Sequence, residues 1–235
     1  ITWDGNTYTF DPLDDFQYLR EDDVLPLTFS YEIQELSGNI TDPAVVSLEI
    51  QGANDQPVAE DNELNTTENE TIDGTVGYTD ADIGDSHTYL IDTNLGLGEG
   101  SVSLDSNTGV YVFNPGSDFD YLLFNQQASV SFTYTVTDDS GTGNAVSAPA
   151  EITINIQGAN DEATAQDDDL GEVIEDGPAV EGTVDAPDDL DDNDVYTYQT
   201  VANSLVDENG VEVVGGDITW DGNTYTFDPL DDFQY

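Results

Sequence analysis

Cysteine is absent from all 235 residues, which excludes disulfides, thiolate nucleophiles and cysteine-type zinc sites together. Lysine is absent too, and Arg20 and His87 are the only other residues that can carry a cationic side chain. A lysine-based isopeptide crosslink is thereby excluded, so whatever stiffens this chain is noncovalent. Nucleic acid is excluded as a partner on the same ground. Displacing counterions from phosphates takes several Lys and Arg, and one Arg does not supply them. No run of about 18 apolar residues occurs, and no basic-then-apolar start, so we expect no direct membrane insertion and place any export signal outside this stretch.

Against these absences stand 52 Asp plus Glu and a formal charge of -51 at pH 7. So acidic a composition raises disorder first, but disordered acidic segments are poor in aromatics. This chain carries 12 Tyr, 9 Phe and 2 Trp within a hydrophobic fraction of 37%, enough for about two domain cores. The charge balance points to partners of positive charge.

Self-similarity organises the chain. "ITWDGNTYTFDPLDDFQY" occupies residues 1–18 and again 218–235, 217 positions apart. "IQGAND" ends at Asp55 and at Asp161, with Pro43 and Pro149 at a common offset upstream. "FNPGSDFDY" at 113–121 parallels "FDPLDDFQY" at 10–18 and 227–235; "DGTV" at 73–76 parallels "EGTV" at 181–184; "DADIGDSHTY" from Asp80 parallels "DLDDNDVYTY" from Asp189. These matches outline the C-terminal part of one repeat (1–55), a complete repeat (56–161) and the N-terminal part of a further one (162–235). We read the chain as a window on a longer array, in which neither terminal part is expected to fold without its missing partner strands.

Within a repeat, apolar residues alternate with polar ones, the period of half-buried strands. Val130, Phe132, Tyr134 and Val136 share a face, as do Ile152, Ile154 and Ile156, and Leu27, Phe29, Tyr31 and Ile33 in the other copy. "VSLD" and "VYVF" form a hairpin through "SNTG", shortened elsewhere to Asp4-Gly5 and Asp221-Gly222. No segment holds a helical period for three turns. The expected class is all-β, built of antiparallel sandwiches, with the Trp and Tyr rings packed in cores and hairpins.

Acidic residues gather at the expected strand ends: Asp80-x-Asp82 with Asp85, Asp118-x-Asp120, and Asp138-Asp139, with Asn54-Asp55 and Asn160-Asp161 at the repeat boundaries. Calcium takes six to eight oxygen ligands, and carboxylates at such spacings in turns can converge on one ion. The competing reading is a solvated turn in which Asp and Asn bond their own backbone. For the acids scattered over 185–194 both readings stay open. Recurrence at equivalent strand ends favours calcium for Asp55, Asp80, Asp82 and Asp138.

In the order and spacing of "GANDQPVAEDN" and "GANDEATAQDD", the "TG-Y-F-P" hairpin and "FTYTVTDDSG", the chain resembles the bacterial cadherin-like or VCBS-type repeats of giant calcium-dependent adhesins of RTX type. That resemblance implies tandem Ig-like, cadherin-like sandwiches arranged end to end, with Ca²⁺ at the joints. Carried over by residue, it implies ligands from Asp15, Asn54, Asp55, Asp80, Asp82 and Asp138 at the first joint. At the second it implies Glu68, Asp118, Asp120, Asn160, Asp161, Asp189 and Asp191. The chain departs from the pattern where Glu35 stands in place of Asp138 and where Gln17 and Gln234 stand in place of Asp120.

An enzyme has little to work with here. His87, read as a surface residue, forms no nucleophile triad with adjacent Ser86, and "GLGEG" lacks the lysine and helix of a phosphate loop. Carboxylate pairs suited to glycoside hydrolysis are abundant by composition and so prove nothing. The resulting expectation is a non-enzymatic stalk of a bacterial surface adhesin, secreted and extracellular, whose partners are adjacent repeats and whose role is cell adhesion or biofilm formation. Two alternatives stay open: a self-assembling extracellular fibre in which neighbouring copies complete each other, and an accessory carbohydrate-binding module of a secreted enzyme.

Overall fold

In a computed structural model, the structure describes residues 1–175, 177–191, 195–213 and 215–229, and the closing loop with Gln234 lies outside them. The described residues contain strands, turns and no helix, as the period-two alternation predicts. They group into two compact units, one of residues 1–119 and 127–157, the other of 120–126 and 158–235.

The first unit begins with a hairpin of β1 (Thr2–Asp4) and β2 (Thr7–Thr9), followed by the antiparallel pair β3 (Val24–Tyr31) and β4 (Ala44–Gln51). The two-residue turn is Gly5-Asn6 rather than Asp4-Gly5, because Asp4 pairs with Thr7 across the ladder. Gly5 has φ 62°, the positive value that the first position of a II′ turn needs. Trp3 meets Tyr8 at 5.4 Å between ring centroids and Tyr8 meets Phe29 at 5.2 Å. Even so, Trp3 and Tyr8 remain 49% and 44% exposed, and Leu19 is the one buried apolar side chain that residues 1–51 contribute. This pair thus packs across its own hairpin rather than in a core, one of the two placements expected for such rings.

The rest of this unit is a full sandwich. Its strands are β5 (Val58–Glu60), β6 (Asn62–Thr67), β7 (Ile72–Thr75), β8 (Gly77–Thr79), β9 (Thr88–Thr93), β10 (Ser101–Leu104), β11 (Val110–Asn114), β12 (Gln127–Thr137) and β13 (Ala150–Gln157). One sheet runs β6-β13-β12-β9; the other runs β10-β11-β7, with β5 and β8 forming a short pair beside it. The sandwich is not antiparallel throughout: β13 pairs with β6 in parallel. These are nearly the first and last strands of the repeat, and a chain that enters at one end and leaves at the other runs them in the same direction.

Alternation decides burial. Phe132, Tyr134, Val136, Ile152, Ile154 and Ile156 are at most 1% exposed, and Tyr111 and Phe113 of β11 face them fully buried. Tyr111 lies edge-on to Phe132 at 5.3 Å, an offset arrangement that aromatic quadrupoles favour. The "DGTV" glycine explains how Tyr111 fits. A Cβ on Gly74 would stand 2.5 Å from the ring, so only glycine leaves room on β7. Tyr134 fastens the small sheet: its hydroxyl accepts from the Glu60 amide at 3.2 Å and faces the Glu60 and Gly77 carbonyls at 2.7 and 2.5 Å.

The second unit repeats part of this plan. β14 (Val180–Thr183), β15 (Asp217–Asp221) and β16 (Thr224–Asp228) form a sheet ordered β14-β16-β15, equivalent to β7-β11-β10. Gly182 lies under Tyr225 as Gly74 lies under Tyr111, with a Cβ clearance of only 2.4 Å.

Candidate metal centre

The loop between β8 and β9 is folded by its own first aspartate. Oδ1 of Asp80 accepts from the Asp82 amide at 3.1 Å, the local bond by which Asp shapes turns. His87 then fixes the other oxygen, its Nε2 lying 2.7 Å from Asp80 Oδ2. The imidazole is only 7% exposed and packs on Tyr78 at 4.4 Å, so His87 is a buried fastener and not the surface residue expected from sequence.

Around this loop the boundary residues converge. The Asp55 amide donates to Asp82 Oδ2 at 2.7 Å, and Asn54 Nδ2 donates to Asp138 Oδ2 at 3.2 Å. Asp138 is held in turn by Ser140, whose amide donates to Oδ1 at 2.9 Å, and Asn144 Nδ2 donates to the Asn54 carbonyl at 2.8 Å. Oxygens of Asp80, Asp85 and Asp138 lie within 4.8 Å of one another. Two ligands of one calcium ion, each at 2.3 to 2.6 Å, stand at most about 5 Å apart, so these three can share an ion.

Electrostatics make the arrangement costly without a cation. Asp82 is 3% exposed, and burial, then the charges of Asp55, Asp85 and Asp80, push its carboxyl above the usual carboxylate range against the opposing bond from the Asp55 amide. Oδ1 of Asp82 and Oδ1 of Asn54 are buried with no hydrogen-bond partner. Buried oxygens are ordinarily satisfied, and two orphans beside three carboxylates are the donor set of a hard cation. The residues present therefore fit calcium, with Asn54, Asp80, Asp82, Asp85 and Asp138 as the oxygens that would hold it.

Other residues expected at this joint are placed differently. Asp15 is exposed, its amide bonded to the Pro12 carbonyl at 3.3 Å. Asp55 presents its carboxylate to Gln17, whose amide nitrogen donates to both oxygens at 2.8 and 3.1 Å. Glu35 accepts from Ser37 and Asn39 in its own turn, and these bonds hold its carboxyl below the usual range. Of the residues expected at the second joint, Glu68 and Asp118 belong to the first unit. Glu68 is fully buried, and Asp118 is exposed with Oδ2 accepting from the Gly100 amide at 2.9 Å.

The second unit rebuilds the same loop. Asp191, 2% exposed, accepts from the Asp161 amide at 2.9 Å and from the Phe124 amide at 3.1 Å. Asp189 Oδ1 accepts from the Asp191 amide at 3.0 Å, and the Tyr196 hydroxyl donates to Asp189 Oδ2 at 2.6 Å. These bonds, Tyr196 first, hold Asp189 below its ordinary range. Asp161 Oδ2 is buried without a partner, as Asp82 Oδ1 is in the first unit. Asn160 turns its Nδ2 to the Asp161 carbonyl at 2.7 Å, and Asp120 is half-buried on its loop. Asp192 and Asp194 lie outside the described residues.

Sequence reasoning missed the residue two positions after each loop, His87 or Tyr196, although "SHTY" against "VYTY" marks both as the same position. It also missed the boundary glycine. A Cβ on Gly52 would stand 2.1 Å from the Arg20 carbonyl, and one on Gly158 2.2 Å from the Leu123 carbonyl. The second residue of "QGAND" is glycine because two backbones touch there.

Residues 54–158 match the family model of the bacterial cadherin-like domain, which spans somewhat under half of the chain. Among solved structures the chain is similar to human mucin-like protocadherin EC1-2, at 18% identity over 67% of this chain and 78% of that one, with a TM-score of 0.45. It is similar also to the human desmocollin-1 ectodomain, at 16% identity, 94% and 41% coverage and a TM-score of 0.42. Drosophila N-cadherin EC1-4 is matched at 14% identity, with 91% and 51% coverage and a TM-score of 0.36. The chain thus spans about half or less of the last two. No curated protein matches it. The family match covers the sandwich with its "AND" boundary and acidic loops, residues 54–158, which is thus similar to the bacterial cadherin-like domain.

Proposed function

We propose that the chain is a stretch of a non-enzymatic extracellular stalk, in which cadherin-like sandwiches follow one another and calcium clamps each joint. The orphaned Asp82 Oδ1, buried among Asp55, Asp80 and Asp85, carries this reading. A cation there would satisfy that oxygen and offset the burial, and after it the neighbouring charges, that lift the Asp82 carboxyl. Because only the folded joint gathers these oxygens, binding adds stability by mass action, growing with ion concentration. The recurrence of the loop at Asp189, Asp191 and Asp161 supports a device used at successive joints. The place of such a protein is the bacterial surface, where repeats set reach for adhesion or biofilm formation.

Thermal melting and small-angle scattering of the chain, in calcium and in chelator, test the proposal. Calcium is expected to raise the melting temperature and to narrow the distribution of lengths. Identical curves in both buffers overturn it.

A further inference from the structure

Arg20 is the one Arg or Lys in the chain, and it bonds two carboxylates at once. Its Nε bonds to the carboxylate of Asp85, whose side chain is 2% exposed, and its Nη2 bonds to Asp139 Oδ1 at 3.1 Å. Asp85 lies in the β8–β9 loop and Asp139 in the loop after β12, so one guanidinium fork ties both to the segment that follows "DDFQY". Bonding to Asp85 raises the Arg20 pKa further, leaving the charge permanent. Beside this fork the Ile83 amide donates to the Tyr18 carbonyl at 3.3 Å, a backbone bond across the same junction.

The internal repeat shows that this residue is a choice. Aligning "FQYLREDD" at 16–23 with "FDYLLFNQ" at 119–126 sets Arg20 against Leu123. The same alignment sets Glu21, Asp22 and Asp23 against Phe124, Asn125 and Gln126, so the segment with the arginine is also the one richer in acids. Asp85 is in addition one of the three carboxylates able to share an ion. A fixed cation on Asp85 therefore offsets repulsion at this joint whether or not a divalent ion is present.

We infer that Arg20 is a tethered cation that holds this joint together when no divalent ion is bound, making it less calcium-dependent than a joint with leucine at that position. A planar fork suits the task, because it meets two carboxylates at once where an ammonium offers a point charge. The calcium half of this statement rests on the proposed function; the clamp itself does not.

Hydrogen exchange at the Ile83 amide of the whole chain tests it. Arg20→Leu, a residue the other copy already uses at this place, is expected to speed that exchange at least about tenfold in chelator. Arg20→Lys is expected to restore part of the protection, since it keeps the charge and loses the fork. Saturating calcium is expected to bring the leucine variant back near the natural chain. Equal exchange of the natural and leucine chains in chelator overturns the inference. Calcium that alters exchange in neither chain refutes the calcium clamp, while the chelator comparison alone still decides Arg20.

Discussion

The backbone amide of Asp55 donates to Oδ2 of Asp82 at 2.7 Å, while the other oxygen of that carboxylate is buried without a partner. One oxygen thus organises the repeat boundary, and in the proposed clamp the second would take the cation. The two roles separate by substitution. In Asp82→Asn the carboxamide oxygen still accepts from Asp55, but the charge is gone. In chelator the variant is expected to melt higher than the natural chain, because the charge that burial and Asp55, Asp85 and Asp80 disfavour has been removed. In calcium it is expected to melt lower, because a ligand has been lost. A gain of about 1 kcal/mol corresponds to roughly 2 to 4 °C in a chain of this size. A shift of the same sign in both buffers contradicts the assignment.

His87 and Tyr196 do the same work with different atoms, each bonding the outer oxygen of the first loop aspartate at 2.7 and 2.6 Å. His87→Tyr is therefore expected to retain the loop and His87→Phe to lose it. Groups that orient a metal ligand typically change affinity by about 10- to 100-fold when removed. Calcium titration of the Phe variant should show a loss in that range, and a Tyr variant as weak as the Phe variant contradicts the equivalence.

The alternating faces of β12 and β13 were legible in the sequence because a strand's period is short and local. Val130, Phe132 and Ile154 could be placed in the core from spacing alone, and they are there. The acidic clusters were legible as positions but not as partnerships. Nothing local distinguishes Asp82, which meets a residue 27 positions away, from Asp118, which bonds Gly100 within its own hairpin region. The parallel pairing of β6 with β13 was hidden for the same reason, since it joins opposite ends of the repeat. Arg20 stood out only as a rarity of composition, and its partners Asp85 and Asp139 lie 65 and 119 residues away.

Tyr111 and Tyr134 are both fully buried, yet only one uses its hydroxyl. The Tyr111 oxygen has no partner, whereas the Tyr134 oxygen serves Glu60 and Gly77. An unsatisfied buried hydroxyl costs about 1 to 3 kcal/mol, and removing it returns part of that. Tyr111→Phe is accordingly expected to be neutral or stabilising, and Tyr134→Phe to destabilise by about 1 to 3 kcal/mol and to loosen the β5–β8 pair. Chemical denaturation of the two variants checks the contrast, and equal losses contradict it.

Gly52 has an ordinary backbone conformation, so its need for glycine is one of space alone. A Cβ there would lie 2.1 Å from the Arg20 carbonyl oxygen and 2.8 Å from that of Leu19, both fixed backbone atoms that cannot rotate away. Gly52→Ala must therefore part the boundary segment from the loop that holds Arg20, and the Gly52 amide must give up the Asp23 carbonyl that it bonds at 2.8 Å. The expected loss exceeds about 3 kcal/mol, the range of substitutions that break a defined contact. Gly143→Ala is the control, because nothing lies within 4 Å of its Cβ position, and it is expected to stay within about 0.5 kcal/mol of the natural chain. The alanine at 52 should also speed exchange at Ile83, since the carbonyl it displaces belongs to Arg20 itself. Matching stability of the two alanine variants would show that the "QGAND" glycine does not depend on the backbone contact.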